Sequence, residues 1–165
     1  MVSPAVQDAL NAQMRREFYA SYLYLSMAAH CERQNLPGVA RWLRLQSQEE
    51  YGHAMRIYQH LVDRGGEVVL GALDQPPGRF ASLLELFTQA HEHERAVTEQ
   101  IHALYEVAVR ERDYAAQVML QWFITEQVEE EKLTAEVLEQ VRRAGEEGPA
   151  LLLLDERLGA RTSAE

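Results

Sequence analysis

With a single cysteine, Cys31, this 165-residue chain cannot form an internal disulfide. That excludes the small disulfide-stapled scaffolds of oxidising compartments and fits a reducing one. Basic side chains are in deficit, 16 against 26 acidic, for a formal net charge of -10. The balance removes the basic face that nucleic-acid binding needs, so no nucleic-acid partner is expected. No stretch approaches 18 consecutive apolar residues, so no membrane span is expected. The opening MVSPAVQDALNAQM lacks a basic stretch followed by an apolar run, so a secretion signal is not expected either. Together these point to a cytoplasmic protein. Proline and glycine are also scarce, five and nine, and leave few places where a helix must break.

What is there is long helical pattern with sparse punctuation. Ser3 and Pro4 have the form of a helix start. NLPG, residues 35–38, is a short turn, and Gly65 and Gly66 form a stop. Ser82 with Glu85 reads as a capping box. Asp113 caps a further helix, and Gly148 and Pro149 open a short last one. Helices are expected at about 4–34, 37–64, 82–110, 114–144 and 149–158, with a polar tail over 160–165, all in one domain. The four long segments imply an all-α four-helix bundle. Short turns make the first and second helices antiparallel, and likewise the third and fourth. The stretch 66–81 is long enough to cross the bundle from end to end.

Core stripes follow the three-to-four spacing of a buried helix face. The third helix gives Leu83, Phe87, Ala90, Glu94, Val97, Ile101, Leu104, Ala108, interrupted by Glu94 alone. In the second helix Glu50 and His53 interrupt, at i and i+3 on one face. Glu17 interrupts the first helix, and Gln127 and Glu130 the fourth. Middles of antiparallel helices lie at similar heights, so these six residues can converge. Four inward carboxylates cannot all stay ionised unaided, because like charges raise each other's pKa. A pair of cations resolves the conflict, and bridging carboxylates with one imidazole suit iron or manganese.

A second E-x-x-H, Glu99 with His102, lies well off the core stripe and reads as solvated surface. His91 and His93 flank Glu94 off its line and read the same way; His30 and His60 are expected partly buried near helix ends. Glu49, Glu126, Glu129 and Glu130 form a second line of carboxylates beside the first. They are either an all-oxygen metal site or a charge run facing water. Tyr24, two turns from Glu17 on one face, either serves the centre or fills the core with its hydroxyl bonded. Trp122 has the same two readings.

Glu17 and Tyr24, QEEYGH over 48–53, HEHE ending at Glu94, and LQWFITEQVEEEK over 120–132 resemble a bacterial non-haem ferritin, a member of the ferritin-like di-iron family. The resemblance runs from Gln7 to about Leu158. It implies a ferritin-like four-helix bundle with one long crossover between helices two and three and a short fifth C-terminal helix. It further implies a homo-oligomeric cage of 24 subunits that stores ferric mineral. Its substrates would be Fe(II) and dioxygen or peroxide, reacting at a di-iron centre inside each bundle. Carried over by position, Glu17, Glu50 and His53 would hold one iron. Glu50 would bridge to a second, held with Glu94 and Glu130, with Gln127 a weaker partner. Glu49, Glu126, Glu129 and Glu130 would form a third iron site, and Tyr24 would stand beside the centre. The apolar run in PALLLLDERL would be buried against symmetry mates at a four-fold axis.

Two departures qualify the carry-over. Gln127 and Glu130 stand where many di-iron proteins have a second E-x-x-H, so the second iron should be held less tightly. Gly52 stands where haem-binding relatives place methionine, so no haem is expected; its missing side chain suggests close packing at a subunit contact. Two other functions share parts of this pattern. One is a ferritin-like di-metal oxidase or peroxide-detoxifying protein without mineral storage, distinguished by particle size. The other is a metal-free structural bundle.

Overall fold

Helix ends in this chain are made by identifiable groups. In the computed structural model, which describes residues 1–163, α1 spans Pro4–Arg33, α2 Pro37–Asp63, α3 Leu83–Arg110, α4 Tyr114–Ala144 and α5 Pro149–Gly159. The Ser3 hydroxyl accepts the Val6 N–H at 3.3 Å, and Pro4 sits in the first turn. Ser82 accepts the Glu85 N–H at 2.9 Å, and the Glu85 carboxylate reaches back to the Ala81 N–H. That is a capping box displaced by one residue at its return bond. Asn35 and Arg112 take left-handed backbone, with φ of 57° and 55°, in the two short turns. In each turn the next N–H bonds back to the helix just ended, Leu36 to the Cys31 carbonyl and Asp113 to that of Ala108.

The short turns pair α1 with α2 and α3 with α4 as antiparallel neighbours, and α1 also packs on α3. Residues 64–82 make the one long crossover. It is bonded to α1 along most of that helix's length. Near the start, Asn11 donates to the Glu67 carbonyl and accepts from the Val69 N–H, both at 2.8 Å. Near the end, Ser26 and Arg33 donate to the carbonyls of Pro77 and Gly78. Helix α5 lies against α2 and α4. A Cβ at Gly38 would sit 1.8 Å from the Asp155 carbonyl oxygen, so only glycine lets α5 approach α2 this closely. Gly52 differs: it is exposed, and a Cβ there would meet nothing within 4 Å of the chain itself.

No strand occurs among the described residues, and the all-α bundle with one crossover and a short fifth helix matches the sequence expectation. Every residue of the third helix's stripe is buried, as are the residues that interrupt the other three. The apolar core, however, is in two parts. One gathers Tyr24, Met27, Leu43, Phe87 and Val137 with Leu154 and Leu158 of α5. The other gathers Leu10, Met14, Ile57, Ile101, Leu120 and Phe123. The polar interruptions of the stripes fall between them.

Asp113 ties the far end together. Its carboxylate accepts the Ala116 N–H at 3.0 Å and both Arg64 Nη atoms, at 2.9 and 3.2 Å. Burial alone raises its pKa, but the Arg64 pair and the Ala116 N–H outweigh it and hold the carboxyl below 3.8. A depressed carboxyl stabilises the fold above its unfolded pKa and ceases to as pH falls through the folded one. Asp113→Ala removes both cap and pair, and should lower unfolding stability by about 1–2 kcal/mol at neutral pH. The difference from wild type should shrink below about pH 4, as checked by thermal unfolding across pH.

Candidate metal centre

Between the two apolar clusters, α1 contributes Glu17, α2 Glu50 and His53, α3 Glu94, and α4 Gln127 and Glu130. All are buried, the most open being His53 at 5% exposure. Together with the half-buried Glu126, they form three tight sets: Glu17, Glu50 and His53; Glu50, Glu94 and Glu130; His53, Glu126 and Glu130. Within each set one ligating atom per residue lies within 4.8 Å of the others. Glu50, His53 and Glu130 each belong to two sets.

Each group is held by its own partners. Gln13 donates to Glu17 Oε1 at 2.7 Å, while Glu17 Oε2 is buried with no hydrogen-bond partner among the described residues. His53 Nδ1 lies 3.1 Å from Glu50 Oε2, and its Nε2 lies 3.8 Å from Glu126 Oε1. The edges of Trp122 and Phe123 fix the His53 ring, with centroids at 5.4 and 5.9 Å. Tyr24 donates to Glu94 Oε1 at 2.5 Å. The Gln127 amide donates to the Glu94 carbonyl at 3.1 Å and to Glu94 Oε2 at 3.3 Å. It therefore turns its N–H₂ toward Glu94. Gln46 donates to Glu130 Oε2 at 2.7 Å and, more weakly, to Glu50 Oε1 at 3.4 Å.

Without a cation this layer is frustrated. Burial, then the nearby Glu94 carboxylate, push Glu50 well above the ordinary carboxylate range. Burial also raises Glu17, despite the Gln13 bond. Glu94 rises to about 7 through burial, and Glu130 to about 8 through burial and the charge of Glu94. Burial would lower His53, but Glu126, Glu50 and Glu17 around it overcome that and push it up to about 11. Burial and Glu94 together raise the Tyr24 phenol well above 10, so it stays a donor. An orphaned carboxylate oxygen and mutually repelling carboxylates are the donor set for a hard or borderline cation.

The second line of carboxylates is only partly gathered. Glu49, Glu126, Glu129 and Glu130 line one cavity of about 390 Å³. Glu126 and Glu130 join His53 in a tight set; Glu49 and Glu129 join none among the described residues. Glu49 Oε2 instead accepts Arg161 Nη2 at 2.8 Å. Arg161 lies in the polar tail, where nothing in the sequence marked it. Gln13 and Gln46 had a signal: each breaks a core stripe four residues before a buried glutamate.

The histidines off the stripe divide. Glu99 and His102 are exposed, as expected from their angle. His91 and His93 are drawn further in than the solvated reading allowed. His91 Nδ1 is 3.0 Å from the Thr134 hydroxyl. His93 packs its ring on Tyr19 and Tyr24, leaves Nε2 buried without a partner among the described residues, and is lowered by burial to about 4. Their neighbours on α1 and α4 cover a face that helix angle alone left open. His30 is buried and His60 half-buried near helix ends, as expected.

A four-helix bundle crossed once, with a buried layer of glutamates and one histidine, defines the class of carboxylate-bridged metal bundles. The Ferritin family model, a ferritin-like domain, matches residues 7–144, and the chain belongs to that family. It is 38% identical over 161 residues to a bacterial non-heme ferritin of Bacteroides fragilis, covering 98% of this chain and 100% of that one. A bacterial non-heme ferritin of Staphylococcus aureus is 37% identical over 165 residues, covering 100% of this chain and 99% of the other. An engineered closed form of the Archaeoglobus fulgidus ferritin superposes with a TM-score of 0.97 at 42% identity, covering 99% of this chain and 100% of that one.

The raised groups share one sign. Glu94 and Glu130 make the folded state hold more protons than the unfolded chain from about pH 4.5 up to about 7 and 8, and His53 does so from its ordinary 6.5 up to about 11. Stability of the metal-free protein should therefore fall as pH rises from about 5 to 8. Thermal unfolding at several pH values checks this. Saturating Zn²⁺, or the pair Glu94→Gln with Glu130→Gln, should flatten the slope.

Proposed function

We propose that this chain is a ferroxidase that stores the iron it oxidises inside a cage of 24 copies. The carrying observation is the sharing of Glu50 between two tight ligand sets, which suits two Fe(II) ions side by side. Glu17, Glu50 and His53 take one ion. Glu50, Glu94 and Glu130 take the other, with Gln127 and Tyr24 orienting Glu94 by hydrogen bonds. Each Fe(II) gives up one electron. Dioxygen takes the two electrons and two protons and leaves as hydrogen peroxide, and the Fe(III) ions move on to mineral. Peroxide as oxidant would take two electrons and two protons to give two waters.

Several features of the chain support iron held within an assembly. Nearly all the charge at the centre is carboxylate, which favours oxygen-loving iron over softer metals. Leu152 and Leu153 of α5 are both 67% exposed, an apolar face that a lone chain leaves in water. Val69, Leu70 and Leu73 of the crossover make a second such face, with Met14 and Phe18 beneath. Two separate apolar faces on one chain suit a closed assembly with more than one kind of contact. Glu49, Glu126, Glu129 and Glu130 form a third iron site beside the pair.

Aerobic addition of Fe(II) to the metal-free protein should give rapid Fe(III) absorbance. Glu50→Ala and His53→Ala should each slow it by at least about tenfold, since each removes a ligand and even outer-shell losses cost that much. Rates equal to wild type would refute the assignment. Light scattering should report a particle of two dozen chains. A dimer that retains no more than a few irons per chain would reject storage and leave a di-metal oxidase.

A further inference from the structure

The third site already holds a cation of the protein's own. Arg161 lies two residues beyond α5, and its guanidinium enters the cavity lined by Glu49, Glu126, Glu129 and Glu130. Its Nη2 donates to Glu49 Oε2 at 2.8 Å. Its Nη1 donates to Gln46 Oε1 at 3.0 Å and, at longer range, to the Trp42 carbonyl at 3.4 Å. The guanidinium carbon stands 4.7 Å over the Trp42 ring. The side chain is only 16% exposed. The backbone on either side is fixed as well: Arg41 donates to the carbonyls of Gly159 at 3.1 Å and Arg161 at 3.2 Å. This is a seated group rather than a loose tail.

We propose that Arg161 is an internal cation that closes the third site, so that a metal ion binds there only in exchange for the guanidinium. The inference rests on the reading of these four glutamates as a metal site. A metal ion and Nη2 compete for one Glu49 oxygen and for the same negative field. A guanidinium and a metal ion cannot share that oxygen, so an incoming ion must displace the arginine. The exchange has a consequence for the centre. Arg161 occupies Gln46 Oε1 and so keeps Gln46 Nε2 on Glu130 and Glu50. Displacing the Arg161 guanidinium frees that amide, while Arg41 still holds the backbone after α5. Occupancy of the third site is thereby coupled to the hydrogen bonding of two di-iron carboxylates.

The test is a Tb³⁺ titration of the assembled metal-free protein, read by tryptophan-sensitised luminescence. The third-site signal is the component lost in Glu129→Ala, since Glu129 belongs to none of the tight sets. Arg161→Ala and Arg161→Gln should tighten that component by roughly fivefold or more, the scale of a lost ion pair, while Arg161→Lys, which keeps the charge, stays within about twofold of wild type. Two separate substitutions guard against one that disturbs folding; circular dichroism and particle size must match wild type. A Glu129-dependent component of equal affinity in wild type, Arg161→Ala and Arg161→Gln overturns the role of Arg161 and leaves the third site standing. Tightening by Arg161→Lys equal to that by Arg161→Ala also overturns it, because charge is then not the competitor. No Glu129-dependent component in any protein overturns the third site and the proposal together.

Discussion

Glu17, Glu50, Glu94 and Glu130 meet in one layer of a bundle whose other layers are apolar, and their repulsion is the constraint the surrounding structure answers. Desolvation and like charge both disfavour the ionised forms there. Protons relieve the conflict in the metal-free chain, with Glu130 raised to about 8 and His53 to about 11. Divalent cations relieve it without protonation. The free energy stored in the frustrated layer is therefore available to hold metal, and it appears as a cost to folding when metal is absent.

The two apolar clusters make such a layer tolerable. Each is closed on its own and lies on one side of the centre, so the polar belt costs the core its continuity but not its packing. Amides then restrict what the carboxylates can do. Gln13 and Gln46 stand one helical turn before Glu17 and Glu50, on the same face of their helices. Gln13 leaves Glu17 Oε2 without a partner among the described residues, while Glu50 Oε2 meets His53 Nδ1. Gln127 and Tyr24 each bond one oxygen of Glu94 from across the bundle. Neutral donors of this kind orient a carboxylate without neutralising it, as a charged partner would.

The second line of carboxylates follows a different logic. It opens to a cavity instead of lying between apolar layers, so water and a side chain of the protein share the work of compensating it. Arg161 comes to it from the end of the chain, carried there by the close passage of α5 over Gly38. The same passage leaves Leu152 and Leu153 facing outward. Placement of the fifth helix thus joins the chemistry of the interior to the faces available for assembly.

Periodicity and punctuation determined most of the fold. Four stripes at helical spacing, two short turns and one long connection allow few other arrangements, because each stripe must be buried and each short turn forces an antiparallel neighbour. The same stripes exposed Glu17, Glu50, His53, Glu94, Gln127 and Glu130, since a charge in a core line stands out against apolar neighbours. Sequence alone did not reach the contacts made between distant segments. Helix angle placed His93 on the surface, while Tyr19 and Tyr24 of another helix cover it. Spacing grouped Glu49 with Glu126 and Glu129, while Arg161, more than a hundred residues away, claims its oxygen. Local pattern reports which side of its own helix a residue occupies; what stands opposite is decided when helices pack and the ends of the chain come to rest.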